Sequence, residues 1–141
     1  GTKQWGAVRY PLEAPAQEGA WVGLSELTIH DGHAYLIERD NLIGDKAALK
    51  SLTRVSLADM QPAALGSDLP VVRKELVRDF IPDLKSQTNG YVVDKVEGFA
   101  IDAEGYGFVV TDNDGVDDSS GETLFFEIGR MDEQSAPLSA Q

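Results

Sequence analysis

Apolar and polar residues alternate along two stretches of the chain in the way that is typical of β-hairpins. The stronger stretch covers residues 95–114. Phe99 and Ile101 alternate there with small or polar neighbours, and after a glycine turn the apolar run 108–110 follows. This pattern predicts two antiparallel strands buried in a sheet-built core. The second strand ends in clustered acidic side chains, which are typical either of a metal site or of a tight turn.

A weaker copy of this pattern covers residues 25–41, and Glu38 aligns with Thr111 at a spacing of 73 residues. Each copy is followed by a polar insert and then by a further apolar stretch, predicted as strands at Leu52–Leu57 and Thr123–Ile128. Repeated antiparallel units of three to four strands are typical of propeller blades. The sequence therefore predicts an all-β fold with one short helix, forming part of a β-propeller-like domain built from antiparallel blade units.

The segment between the two copies combines helical and strand signals. Apolar residues recur at helical spacing from Leu69 to Leu84, but Pro82 would break a continuous helix. We therefore predict a strand at Val71–Arg78 and a short helix at Asp79–Ser86. Asp79 is the predicted N-cap, and Pro82 lies in the first turn, where proline is tolerated.

Length and composition indicate one globular domain. The chain has 141 residues, of which 42% are hydrophobic, so we assign residues 1–130 to a single β domain and predict a disordered tail at 131–141. No stretch approaches the roughly 20 apolar residues of a membrane span, so membrane insertion is not expected. The absence of cysteine excludes disulfides and thiolate nucleophiles.

The charge distribution indicates which partners the chain can bind. The net charge is -12, and from residue 96 onward 11 acids face a single base, Arg130. Nucleic acid is therefore not an expected partner, whereas cations are. A small phosphate ester could approach this surface only where bound divalent ions or arginines reverse the local field.

Several acidic positions are candidates for chemistry. Asp112 and Asp114 could supply oxygen ligands to calcium, although a solvated connecting loop explains them equally well. Glu97 opens a strand rich in buried residues, where a carboxylate costs free energy unless it is paired, hydrogen-bonded or metal-bound. The same reasoning applies to Glu26, which we take as its counterpart in the first copy.

The charged end of the first hairpin is a second candidate region. Glu38 and Arg39 are candidate substrate-binding residues, and the alternative is that they form an internal ion pair at the end of a strand.

Four motifs add a family resemblance that spacing alone could not give. They resemble the phytase-like family, which is described by an esterase-like activity of phytase. The motifs are GLSEL at 23–27, ERDN at 38–41, KVEGFAID at 95–102 and VTDNDG at 110–115.

The resemblance implies a β-propeller-like domain of a bacterial, extracytoplasmic protein, either periplasmic or secreted, and ester or phosphoester hydrolysis. By analogy with calcium-dependent propeller phytases, Glu97, Asp112 and Asp114 would bind calcium, which would gather substrate phosphates and polarise an attacking water. No catalytic nucleophile or base is assigned by the resemblance. Family members are longer, so the resemblance leads us to expect that this chain corresponds to their C-terminal part.

Two functional hypotheses follow from these observations. The first is a metal-dependent hydrolase of small phosphate esters, and the second is a non-catalytic, calcium-stabilised binding or scaffold module. In either case, open sheet edges would favour self-association.

Overall fold

The computed structural model describes residues 3–113 and 123–135 of the chain. Within these residues, strands dominate and α1 is the single α-helix. The elements are β1 (Gly6–Ala7), β2 (Val22–His30), β3 (His33–Asp40), β4 (Lys50–Ser56), β5 (Ala63–Ala64), β6 (Glu75–Asp79), α1 (Ile81–Gln87), β7 (Val96–Ile101), β8 (Tyr106–Thr111) and β9 (Phe125–Arg130), with 3₁₀ turns at Gly44–Lys46 and Glu133–Ser135. The described part of the chain contains no helix with the length and apolar character needed to cross a bilayer.

The first sheet is an antiparallel meander in the order β2-β3-β4-β6. The hairpin between β2 and β3 closes through Asp31 and Gly32, whose φ angles of 42° and 72° are those of a two-residue turn that matches strand twist. Strand β3 lies in the interior of the sheet and is buried on both faces over nearly its whole length. Because both faces of β3 are covered, its apolar and its charged side chains are nearly all buried.

The second sheet is a meander in the order β7-β8-β9, so it repeats the first three strands of the first sheet. The repetition extends to an irregularity in pairing. A bulge separates the pairs Leu24–Glu38 and Glu26–Ile37 in one sheet, and another separates Val96–Thr111 and Gly98–Val110 in the other. The sheets are therefore two copies of one unit. Equivalent residues are 72 positions apart in the bulged strands β2 and β7, and 73 positions apart in β3 and β8, which follow the turn.

This register corrects one sequence-based equivalence. Glu97 occupies the bulge of the second sheet, and the bulge of the first sheet is occupied by Ser25, not by Glu26. The error arose because the two turns differ in length and the extra residue in each strand is invisible to simple alternation.

The two sheets pack through one shared hydrophobic core. The rings of Tyr35 and Phe99 lie 5.9 Å apart across it. Two hydroxyls of β2 also donate hydrogen bonds to carbonyls of β7: Ser25 to Val96 and Thr28 to Phe99, both at 2.7 Å. We call the faces that line this core the inner faces, and the opposite faces the outer faces.

The N-terminal segment covers part of the outer face of the first sheet. Val8 and Tyr10 pack there against a small cluster that includes Leu36 and Val72. Backbone hydrogen bonds link residues 9 and 70–72, and Arg9 forms an isolated parallel bridge with Val71. The β2 side of this face is left exposed.

The predicted all-β fold with one short helix is confirmed, whereas the propeller-like assembly of the sheets stays a prediction. The helix contains Pro82 in its first turn as expected, but the predicted N-cap is wrong. The helix begins at Ile81 with Phe80 as its N-cap, because Asp79 still belongs to β6; the Asp79 carboxylate accepts a hydrogen bond from the Ile81 N–H at 2.9 Å. The strand predicted from Val71 begins only at Glu75, because residues 71–72 bond to the N-terminal segment instead of β4. Within the predicted tail, Met131 is buried in the core, and residues 136–141 lie outside the described residues.

Candidate functional site

The charged ends of both sheets meet at one side of the shared core. Arg39 at the end of β3 pairs in register with Lys50 at the start of β4. At the same side, Val96 at the start of β7 pairs with Thr111, and the Asp112 N–H donates to the Lys95 carbonyl at 2.9 Å. We call the five charged side chains that connect these ends the rim network. Its members are Arg39, Asp40, Lys50, Asp94 and Glu97.

Arg39 links the first sheet to the second. Its alternation with Tyr35 and Ile37 along β3 directs the side chain to the inner face. One terminal nitrogen donates to an Asp94 carboxylate oxygen at 3.1 Å, and the other donates to Glu97 Oε1 at 2.7 Å. The guanidinium carbon also lies 5.2 Å from the centroid of the Trp21 ring, within the range of a cation–π contact.

One atom of Arg39 is not satisfied by these contacts. The residue is only 6% exposed, and its Nε–H has no hydrogen-bond partner among the described residues. A buried donor without a partner costs free energy. The Nε–H is therefore a buried donor for which the described residues supply no acceptor.

Lys50 and Asp40 form the buried part of the network. The Lys50 ammonium lies 3.0 Å from Asp40 Oδ1, 2.7 Å from the Asp40 carbonyl oxygen and 3.5 Å from Asp94 Oδ1. The other Asp40 oxygen accepts hydrogen bonds from the backbone N–H groups of Ala48 and Leu49, at 2.8 and 2.9 Å. The insert after β3 is thereby held against the strand end.

The pKa values of this pair reflect burial and mutual attraction. Burial alone would raise the pKa of Asp40, but the hydrogen bond from Ala48 and the contact with Lys50 outweigh it and hold that pKa below its ordinary value. Burial lowers the pKa of Lys50, and the attraction of Asp40 only partly opposes this shift.

A second charged cluster lies on the outer face of the first sheet, around Glu38. One Glu38 oxygen accepts hydrogen bonds from the Tyr10 hydroxyl and the Lys74 ammonium, both at 2.8 Å, and the other accepts the Glu13 N–H at 2.6 Å. A cleft of about 460 Å³ opens beside Glu38, and its lining includes Thr53. Burial and the neighbouring Glu38 raise the pKa of Tyr10, so this phenol stays protonated.

The structure separates the two predicted substrate-binding residues. Glu38 and Arg39 are consecutive in β3, so their side chains point to opposite faces of the sheet. Each pairs elsewhere, Glu38 with Lys74 and Arg39 with two acids of the second sheet. The expectation of an internal ion pair between them is therefore corrected, while their roles in substrate binding stay predictions.

The predicted metal ligands are partly brought together. Glu97 joins the rim network through Arg39, and Asp112 follows β8 at the same end of the second sheet. Asp114 lies outside the described residues. Within residues 3–113 and 123–135, no three acidic or histidine side chains converge as a metal site would require.

Sequence reasoning missed the residues that complete the network. The apolar pattern of β4 is visible only from Leu52 onward, so Lys50 falls within the polar insert that precedes the predicted strand Leu52–Leu57. Had the strand been extended to Lys50, its register with β3 would have placed the lysine beside Arg39. Asp94 and Trp21 carry no local signal, since both act through contacts with residues distant in sequence.

The geometry thus defines a repeat-built antiparallel β domain whose two units are joined by partly buried ion pairs at their charged ends. The chain belongs to the phytase-like family, described as esterase-like activity of phytase, whose model matches residues 1–115. Membership of this family indicates an esterase-like hydrolase domain. No significant match to the chain is found among curated proteins, and none among solved structures.

Proposed function

We propose that the domain hydrolyses phosphate esters and that the rim network binds the substrate phosphate through Arg39. The observation that carries this proposal is the buried guanidinium with its unpartnered Nε–H. A guanidinium is planar and presents paired donors that match phosphate oxygens, and a partly dry environment strengthens such contacts. The esterase-like character of the family supports the same class of reaction.

Glu97 is the group that a phosphate would displace. Its side chain is 36% exposed, in contrast to the buried Arg39, so solvent and ligands can reach the carboxylate side of this ion pair. Because the Glu97 carboxylate is partly exposed, water can solvate it when it leaves the guanidinium, which makes its exchange for an incoming phosphate feasible. Asp94 and Trp21 would keep the guanidinium in place during the exchange.

Calcium is proposed as a partner of the same region, with Glu97, Asp112 and Asp114 as its ligands. The rim network has three carboxylates against two cationic side chains, and Asp112 follows β8 at the same end of the second sheet, where its N–H bonds to the Lys95 carbonyl. The described oxygens alone do not complete a calcium site, so no step of the reaction is derived through the ion. An extracytoplasmic location, which the resemblance implies, likewise stays a prediction.

The experiment compares Arg39→Lys with Arg130→Lys in a screen for phosphatase and phosphodiesterase activity and in calorimetric titration with inorganic phosphate. Arg130 is a matched control, because it is a half-exposed arginine that pairs with Asp132 at the end of the second sheet opposite the rim network. We expect Arg39→Lys to weaken phosphate binding about tenfold or more, since lysine keeps the charge but loses the fork of donors. Equal behaviour of the two variants would refute the proposal.

Glu97→Gln separates the role of phosphate from that of calcium. Glu97 competes with phosphate for Arg39, so its replacement should strengthen phosphate binding. Glu97 is also a proposed calcium ligand, so the same replacement should weaken calcium binding. A variant in which phosphate binding also weakens would show that Glu97 assists the anion instead of competing with it.

A second function, that of a calcium-stabilised scaffold, is favoured by a different observation. Arg39 pairs with Asp94 and Glu97, and Lys50 lies close to Asp94, across the boundary between the sheets, so the network can hold the units together without substrate. Calcium that raises the melting temperature without turnover of any phosphate ester would support the scaffold. Turnover that is lost in Arg39→Lys would support the hydrolase.

A further inference from the structure

The two sheets are related head to tail, because equivalent positions do not face each other across the core. Pairing around the bulges makes Leu24, Leu27 and Ile29 of β2 equivalent to Val96, Phe99 and Ile101 of β7. The β7 residues pack into the shared core, with Phe99 only 5% exposed, whereas Leu27 is 52% exposed on the outer face. We call the three β2 residues the β2 strip.

The same reversal holds for the opposite faces. Tyr35, Ile37 and Leu52 line the inner face of the first sheet and are fully or almost fully buried. Register makes them equivalent to Phe108, Val110 and Phe125 of the second sheet, which lie on its outer face. Phe125 is 70% exposed, and its ring stacks on that of Phe108 at a centroid distance of 5.7 Å. We call these three residues the β8–β9 patch.

The internal boundary between the sheets is therefore a contact between two different surfaces of one unit. Each surface occurs twice in the chain, and one copy of each is covered in the core while the other copy is partly or largely exposed. In a heterologous contact of this kind, the first and last units of a stack each keep one surface without its complement. A further unit can bind to that surface by the same contact. The exposed apolar residues are those that such a repetition would bury.

We propose that a second copy of this chain docks head to tail, with its β2 strip on the β8–β9 patch. The contact continues the geometry of the internal boundary, so Phe108 of one copy would meet Leu27 of the next in the way that Tyr35 meets Phe99. This proposal concerns sheet faces and is independent of the phosphate site.

Two features limit the strength of the contact. The hydroxyls of Ser25 and Thr28, which bond to β7 across the internal boundary, are replaced in the second unit by Glu97 and Ala100. The N-terminal segment also covers the part of the outer face beyond β2. A net charge of -12 on each copy opposes association, so salt should strengthen it by screening the repulsion.

The test is sedimentation velocity of the wild-type chain and of two single variants, Leu27→Asp and Phe125→Asp, over a range of protein concentrations in high salt. Wild-type protein should form dimers and longer species, because every associated copy still carries one free surface of each kind. Each variant alone should stay monomeric, since it retains only one functional surface. Leu65→Asp, at a residue 68% exposed and outside both surfaces, is the matched control and should associate like wild type.

Mixing the two variants distinguishes head-to-tail docking from every symmetric alternative. Phe125→Asp keeps the β2 strip and Leu27→Asp keeps the β8–β9 patch, so their mixture should form a one-to-one heterodimer that does not grow further. Thermal unfolding of each variant verifies that it is folded. Monomeric wild-type protein at all concentrations would overturn the proposal, and so would a mixture that remains monomeric or variants that self-associate as wild type does.

Discussion

Replacing Lys50 by methionine tests whether the buried end of the rim network holds the domain together. Lys50 is 0% exposed and Asp40 is 1% exposed, so Lys50→Met removes the ammonium without a large change of volume and leaves a buried carboxylate behind. At the observed 3.0 Å and an effective dielectric constant of about 20, the direct attraction is about 5–6 kcal/mol. Removing one partner of a buried pair costs about 3–5 kcal/mol, because the other charge is left uncompensated.

The expected loss is a large part of the total stability of a domain of this size, which is about 5–15 kcal/mol. For 141 residues it corresponds to a fall of roughly 10–17 °C in melting temperature. The assay is urea unfolding followed by tryptophan fluorescence, with Trp21 beside the network as the reporter. Lys46→Met, at an exposed lysine in the same insert, is the control and should change stability by no more than about 0.5 kcal/mol.

A second substitution makes the argument refutable. Adding Asp40→Asn to Lys50→Met removes the stranded charge while the amide oxygen can still accept the N–H groups of Ala48 and Leu49. The double variant should therefore be more stable than Lys50→Met alone. A loss below about 1 kcal/mol in Lys50→Met, or a double variant that is less stable than both singles, would refute the reasoning.

Three further predictions concern packing, the Glu38 cluster and pH. Gly107→Ala should cost about 1–3 kcal/mol in urea unfolding, because a β-carbon there would lie 2.7 Å from Met131 Sδ and 2.9 Å from Ile128 Cγ1; an unchanged midpoint would contradict this. Tyr10→Phe should lose about 1–3 kcal/mol, since it removes a hydrogen bond to buried Glu38, and equal unfolding curves would argue against a role for the hydroxyl. The pKa of Asp40 is lowered by folding, so its contribution is present above its unfolded pKa of about 3.9 and is lost as pH falls through the folded value. Unfolding midpoints measured from neutral to acid pH should show this loss in wild type and a smaller one in Asp40→Asn.

Local sequence patterns were sufficient for the hairpins and the helix, because these depend on neighbours in the chain. The alternation around Phe99 and the Asp31–Gly32 turn each specify a structure within a few residues. The strand predicted at Val71–Arg78 failed in its first half, since residues 71–72 bond to Arg9 some 60 residues earlier. The sequence around Val71 does not indicate a backbone hydrogen-bond partner so far away in the chain.

The rim network could be predicted only in part for the same reason. The isolated acid at Glu97 correctly indicated a partner, and the structure supplies it in Arg39, 58 residues away. The identity of that partner depends on the packing of one sheet on the other, which the sequence does not encode locally. Lys50 was missed because a charged residue at the start of a strand looks like part of a loop until the register with β3 is known.

The bulges explain why cross-sheet contacts occur where they do. A bulge inserts one residue into a strand and re-aims its side chain. In the first sheet the bulge residue is Ser25, which donates to the Val96 carbonyl of the second sheet. In the second sheet it is Glu97, which accepts from Arg39 of the first. The same irregularity thus supplies a cross-sheet polar contact in both units, although the two contacts use different chemistry. The bulge in β7 disrupts strict alternation, so Glu97 can reach the guanidinium while Val96 and Phe99 remain in the apolar core. The repeat thus explains where a cross-sheet polar contact forms, whereas the residue at the bulge decides whether that contact is charged.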